Sequence, residues 1–191
     1  MKKIFIFILF IGILFPMFGE ELIVSYGSLT GDSKSLDVEV GLTLTDNIFL
    51  SFGGYYEFED PAKCNMFGPH IFAGYMLTST FYVGGGLVYY FGKNSANEDL
   101  FGVIPNVGAG FIFGNDNFAF GPFLGFGYLY QKDNENFHMI YVNPKIRCDI
   151  KKVIVQVGLT IPVYGNYANS PMKLKDFNDK FNVNVGMGIK F

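Results

Sequence analysis

The chain has no tryptophan, two cysteines and two histidines among its 191 residues. Cys64 and Cys148 stand far apart, and no His, Cys or carboxylate run shows the spacing of a metal site. No apolar run of about 18 residues follows Phe18, which excludes a transmembrane helix beyond the N-terminus. Basic residues are scarce as well: 14 Lys and Arg stand against 17 Asp and Glu, a net charge of −3. Without clustered cations to neutralise phosphates the chain is no nucleic-acid binder. Gly84-Gly85-Gly86 lies inside an apolar stretch and does not lead into a helix, so it is no phosphate loop.

What the chain does have is apolar and aromatic surface. Half its residues are hydrophobic, with 23 Phe, 12 Tyr and 24 Gly. Met1 to Gly19 has the parts of a secretory leader, with Lys2-Lys3 ahead of the apolar run Ile4 to Leu14. Cleavage is expected after Gly19, and no cysteine near that point offers a lipid anchor. Residues 20–191 then form one domain.

That domain is patterned with a period of two. In Lys180–Phe191, Phe181, Val183, Val185, Met187, Ile189 and Phe191 alternate with Asn182, Asn184, Gly186, Gly188 and Lys190. A strand puts those two sets on opposite faces. Ten strand-like segments follow from the same rule: Leu22–Leu29, Leu36–Leu44, Ile48–Phe58, Phe67–Leu77, Thr80–Phe91, Phe101–Phe113, Phe118–Tyr130, His138–Cys148, Val153–Val163 and Lys180–Phe191. Eight is the alternative count, if the first segment and a neighbour become loop. The links alternate between short (45–47, 78–79, 114–117, 149–152) and long (30–35, 59–66, 92–100, 131–137, 164–179). Segments five to seven are apolar on one face and glycine-rich on the other. A water-soluble barrel would have to expose that glycine face, whereas a narrow membrane barrel uses it to make room inside for Tyr82, Tyr90, Ile104 and Phe123.

The leader, the alternation, the asymmetric links and the terminal Phe191 together make the chain similar to small bacterial outer-membrane β-barrel proteins, of the OmpA, OmpX and OmpW type. The resemblance covers the mature chain as a pattern and rests on no diagnostic motif. It implies an all-β fold: a transmembrane antiparallel up-and-down β-barrel of ten strands (alternatively eight), with short turns in the periplasm and longer loops outside. It also implies that Val183, Val185, Met187, Ile189 and Phe191 form the signal read by the barrel-assembly machinery. The implied partners are the outer-membrane lipid bilayer, that machinery, and an extracellular ligand or host component at the loops. Tyr56, Phe58, Phe67, Tyr89, Phe91, Phe101, Tyr128 and Tyr130 are expected at an outer aromatic rim, and Phe113, Phe118 and Phe191 at an inner one.

The candidate site is the lumen. Asp37, Glu39 and Glu57 are expected to point inward toward the outer end, and Lys145, Arg147 and Lys190 in the middle and periplasmic parts. Acids above and bases below would set a field along the axis, around either a polar plug or a water path. His70 and His138 have no serine pattern beside them, so the reading is non-enzymatic, with no cofactor and no metal. Asp133–Asn136 reads as a solvated loop tip. The leading role is structural or surface-interacting through the loops, with Tyr164–Asp179 as the contact segment; a narrow porin-like channel is the second, and an outer-membrane hydrolase the third. Pro69, Pro105, Pro122, Pro144 and Pro162 fall inside strands, where a missing N–H should force bulges or shifted strand ends. Cys64 and Cys148 map to opposite ends and are expected as free thiols. Membrane-extracted protein should migrate faster on a gel unheated than boiled; a soluble product without that shift contradicts the membrane barrel.

Overall fold

The computed structural model describes residues 20–29, 33–59, 65–93, 99–132, 136–168, 170–171 and 181–191. The leader, Cys64, Lys180 and Asp133–Glu135 lie outside them. The barrel strands are β1 (Glu21–Leu29), β2 (Ser33–Thr45), β3 (Ile48–Glu59), β4 (Asn65–Met76), β5 (Phe81–Lys93), β6 (Asp99–Phe111), β7 (Phe118–Lys132), β8 (Asn136–Ile150), β9 (Val153–Tyr167) and β10 (Asn182–Lys190). Beyond Ile112, β6 resumes as Phe113–Asn115, still against β7. A two-residue piece, Ser170–Pro171, folds back on the end of β9.

Every strand pairs antiparallel with its neighbour in sequence, and β10 pairs with β1 from Glu21↔Lys190 to Leu29↔Asn182. The sheet is therefore closed, with ten strands and no edge. Both described chain ends sit at the short-turn end. There the Phe191 N–H donates to the Glu20 carbonyl and the Glu20 N–H to the Gly41 carbonyl.

The strands outrun the apolar alternation that announces them. β2 starts at Ser33 rather than Leu36, β8 runs on to Ile150, and β9 reaches Tyr167. The long links shrink accordingly to 30–32, 60–64, 94–98 and 133–135, so the asymmetry of the links is smaller than the alternation suggests. Main-chain pairing continues through polar residues, because a ladder needs N–H and C=O groups and no particular side chain. The short turns close in two residues at Asp46-Asn47, Asp116-Asn117 and Lys151-Lys152. Lys151 takes a positive φ of 53°, and Asn115 Oδ1 accepts from the Asn117 and Phe118 N–H groups. Gly114, at φ 128°, brings its backbone so near the Phe118 carbonyl that a Cβ would stand 2.1 Å from that oxygen.

The prolines cost less than a proline inside a sheet should. Pro69, Pro105, Pro122 and Pro144 each keep one ladder and interrupt the other, whereas Pro162 pairs with Tyr141 past the end of the β9–β10 ladder. Pro69 pairs with Gly54 on β3, while the β4–β5 ladder skips from Phe67↔Phe91 to His70↔Val88. Pro105 keeps Leu87 and breaks toward β7; Pro144 keeps Leu124 and breaks toward β9. Pro122 keeps Ile146 and lies across from the break at Ile112. Only at Pro162 does the register shift, before Tyr164. A strand residue points its N–H at one neighbour only, so one missing donor opens one ladder and leaves the other intact.

The distribution of apolar side chains is inverted relative to a water-soluble domain. Among the described residues 34 large hydrophobics are exposed and 9 are buried. They cover the barrel exterior: Val183, Val185, Met187 and Ile189 on β10, Ile140 and Ile146 on β8, Leu124 and Phe126 on β7. The outward charges on the strands, Lys34, Lys93, Asp99 and Lys132, all stand at the long-loop end. A continuous uncharged apolar belt far exceeds the patches that soluble monomers tolerate, and it is the surface that hydrocarbon solvates. Aromatic pairs flank it. Phe67 meets Phe91 edge-on near the long loops, while Phe111 stacks on Phe113 and meets Phe81 at a tilt near the short turns.

Val185 lies outside, between Tyr26 of β1 and Val157 of β9, and its neighbour Asn184 faces the lumen. Val185→Arg should cost about 2–4 kcal/mol in chemical unfolding in lipid, with Asn184→Arg clearly milder; equal losses contradict this facing.

Candidate functional site in the barrel lumen

The lumen is built by the same alternation that builds the belt. Inward rings lie over glycines of the adjoining strand, at paired positions: Phe49 over Gly74, Tyr55 over Gly68, Tyr82 over Gly110, Tyr90 over Gly102 and Tyr141 over Gly127. At Gly68 and Gly102 a Cβ would stand 2.1 Å from the covering ring. Only glycine lets the ring lie against the wall rather than across the bore.

Two kinds of wall result. From β3 to β7 the interior is aromatic: Tyr82 stacks on Phe123 at 6.0 Å, and Phe49 meets Tyr82 edge-on at 5.3 Å. Near the long loops Met66, Tyr90 and Leu100 pack with Tyr55, Ile104 and Leu129, and the Tyr90 hydroxyl donates to Gln131. From β8 around to β2 the wall is polar. Gln156 donates to Ser25 across the closing strand at 3.0 Å, and Asn143 donates to Thr160 and to the Leu159 carbonyl. That first bond passes over Gly186, where any side chain would collide with Ser25 Oγ.

Between the walls lies a cavity of about 980 Å³. Its lining runs from Glu20, Asp46 and Asp116 at the short-turn end to Glu57, Met66 and Gln131 at the other. All six charges singled out in the sequence, Asp37, Glu39, Glu57, Lys145, Arg147 and Lys190, line it.

Their grouping differs from a simple ladder of acids above and bases below. Near the short turns the Arg147 guanidinium reaches over β9 and β10 to Glu21 of β1, with Nη1 2.9 Å from Oε1 and Nη2 on Oε2. Its Nε donates to Asp149 at 2.7 Å, and Lys190 pairs with the same carboxylate. Two bases are thereby matched by two acids in one cluster, which cancels the basic half of the expected field. Sequence reasoning assigned Asp149 to a turn and passed over Glu21. Extending the period of two by one step would have found both, since Asp149 is in phase with Lys145 and Arg147, and Glu21 with Ile23 and Ser25.

Higher up, His70 Nε2 stands 2.9 Å from Asp37 Oδ1, a bond between β4 and β2. Glu39 and Lys145 line the cavity without an ion pair among the described residues. His138 is outside, its Nδ1 hydrogen-bonded to the Tyr128 hydroxyl and its ring near Tyr130, in the aromatic rim. No serine or cysteine is hydrogen-bonded to either imidazole among the described residues. No group of three metal-binding side chains occurs among them either. Cys148 is a free thiol. Of Tyr164–Asp179, only residues 164–168 and 170–171 are described, so the contact segment lies largely outside.

No protein-family model matches the chain, and no curated protein matches its sequence. Among solved structures it is similar to the beta domain of the Bordetella autotransporter Brka (10% identity, TM-score 0.48, covering 90% of this chain and 97% of that one). It is similar too to the KdgM porin (12% identity, TM-score 0.39, 90% and 99%) and the NanC porin (9% identity, TM-score 0.41, 90% and 99%). Likeness at that level carries no argument about what this chain does.

Arg147→Ala strands Glu21, leaves Asp149 to Lys190 alone and should cost about 2–4 kcal/mol, less than a fully buried pair because these side chains are only partly buried. Lys145→Ala, with no ion pair to break, should stay within about 0.5 kcal/mol. Urea unfolding of both variants in micelles checks the contrast.

Proposed function

We propose that this chain is an integral outer-membrane barrel whose lumen is a narrow pore for small hydrophilic solutes. The observation that carries this reading is the cavity of about 980 Å³ whose lining reaches both ends, with charged and amide side chains along one wall. A polar plug would fill that space. The aromatic rings instead lie over their glycines on the opposite side and leave it open to water.

The apolar belt supports a bilayer as the partner, and closed barrels with two-residue turns at one end belong to outer membranes, with those turns in the periplasm. Export through residues 1–19 and delivery to the assembly machinery through Val183, Val185, Met187, Ile189 and Phe191 complete the reading. That outward row with its terminal aromatic lies on the strand that closes the barrel against β1. The resemblance to proteins of the OmpA, OmpX and OmpW type is carried by size, belt and aromatic terminus. A surface-interacting role draws on links that lie outside the described residues, whereas the pore draws on a cavity within them. Non-enzymatic action fits histidines engaged by Asp37 and by a rim tyrosine.

Purified, refolded protein in a planar bilayer should give small discrete conductance steps. Phe123→Ala, which removes a ring from the aromatic wall, should enlarge them. A folded, heat-shifting protein that leaves the bilayer silent would sink the pore and leave the structural role.

A further inference from the structure

The bases and acids that line the lumen do not count equally, because some are already matched to each other. Arg147 and Lys190 are held by Glu21 and Asp149 in one neutral cluster. Glu57 is engaged by other groups and is set aside. What then faces the cavity is Lys145 alone against Glu20, Asp37, Glu39, Asp46 and Asp116. Counting His70 as a cation beside Asp37 leaves the acids ahead.

Their placement matters as much as their number. Asp46 and Asp116 occupy short turns and Glu20 stands beside them, and all three line the cavity, whereas Lys151 and Lys152 of the neighbouring turn stand outside its lining. Asp37 and Glu39 lie further along β2, facing the bore. A permeating cation meets carboxylates at the mouth and again inside, while an anion meets one lysine. The screening length at physiological salt, about 8 Å, is no shorter than the distance from the wall to the axis of so small a barrel, so these fields are felt across the bore. On the far wall Phe49, Tyr82 and Phe123 line the cavity, and aromatic rings attract cations through their faces.

We propose that the pore is cation-selective, passing alkali-metal and small organic cations in preference to anions. Glu39 with Asp37 forms the inner station, and the Glu21–Arg147–Asp149–Lys190 cluster keeps two bases out of the field. The proposal rests on the pore reading and extends it to the class of solute.

Reversal potentials in a KCl gradient test it on the full-length protein in planar bilayers. Potassium should permeate several-fold better than chloride. Asp37→Asn with Glu39→Gln should bring the ratio toward one, and Lys145→Gln should raise it. Glu21→Gln with Asp149→Asn, which unmasks Arg147 and Lys190, should lower the ratio. Should that double variant not fold, Glu39→Gln alone decides by lowering the ratio. Openings with no preference, or with a preference for chloride in the unsubstituted protein, overturn the selectivity and leave the pore standing. Folded protein without openings overturns the pore and the selectivity with it.

Discussion

Every backbone donor and acceptor in hydrocarbon needs a partner within the protein, because no water is there to supply one and each orphan costs several kcal/mol. Closure of the sheet between β10 and β1 meets that demand, and the other features depend on it. It fixes the strand count as whatever number leaves no edge. It also explains how prolines are tolerated inside the strands: Pro69, Pro105, Pro122 and Pro144 each surrender one ladder position and keep the other. The terminal residue takes part too, its N–H bound to Glu20 beside the seam.

Closure creates a second constraint, which is space. A ten-stranded tube cannot hold inward Phe and Tyr side chains across its bore and still contain water. The glycines opposite those rings resolve the conflict by letting each ring lie along the wall. Glycine is therefore the lumen's main building residue on β4 to β7, and the aromatic wall and the open cavity are two results of one pairing rule. At the seam the same device serves another end. Gly186 and Gly188 leave β10 thin enough for Gln156 and Arg147 to reach across to Ser25 and Glu21 of β1.

The charges follow from that geometry. Arg147 on β8 is separated from Glu21 on β1 by two strands of the barrel wall, β9 and β10, yet its long side chain spans them on the inner surface. Such a cluster holds closure from inside and neutralises its own members. Glu39 on β2 and the carboxylates of the short turns stay outside that cluster and line the cavity.

By itself the sequence determined the strands, their facing and the belt. Side chains in a strand alternate regardless of what the strand pairs with, so Val183 to Phe191 point one way and Asn182 to Lys190 the other. It determined as well that Asp37, Glu39, Lys145 and Arg147 face inward. Strand ends were less legible, because ladders run on past the last apolar residue, as at Asp149 and Tyr167. Which charges meet was decided only by tertiary structure. Arg147 and Glu21 are 126 residues apart, and their distance depends on register around the closed barrel, which no local pattern encodes. The same holds for His70 with Asp37 and for every ring over its glycine. Periodicity tells a side chain which face it occupies; closure alone tells it which neighbour it has.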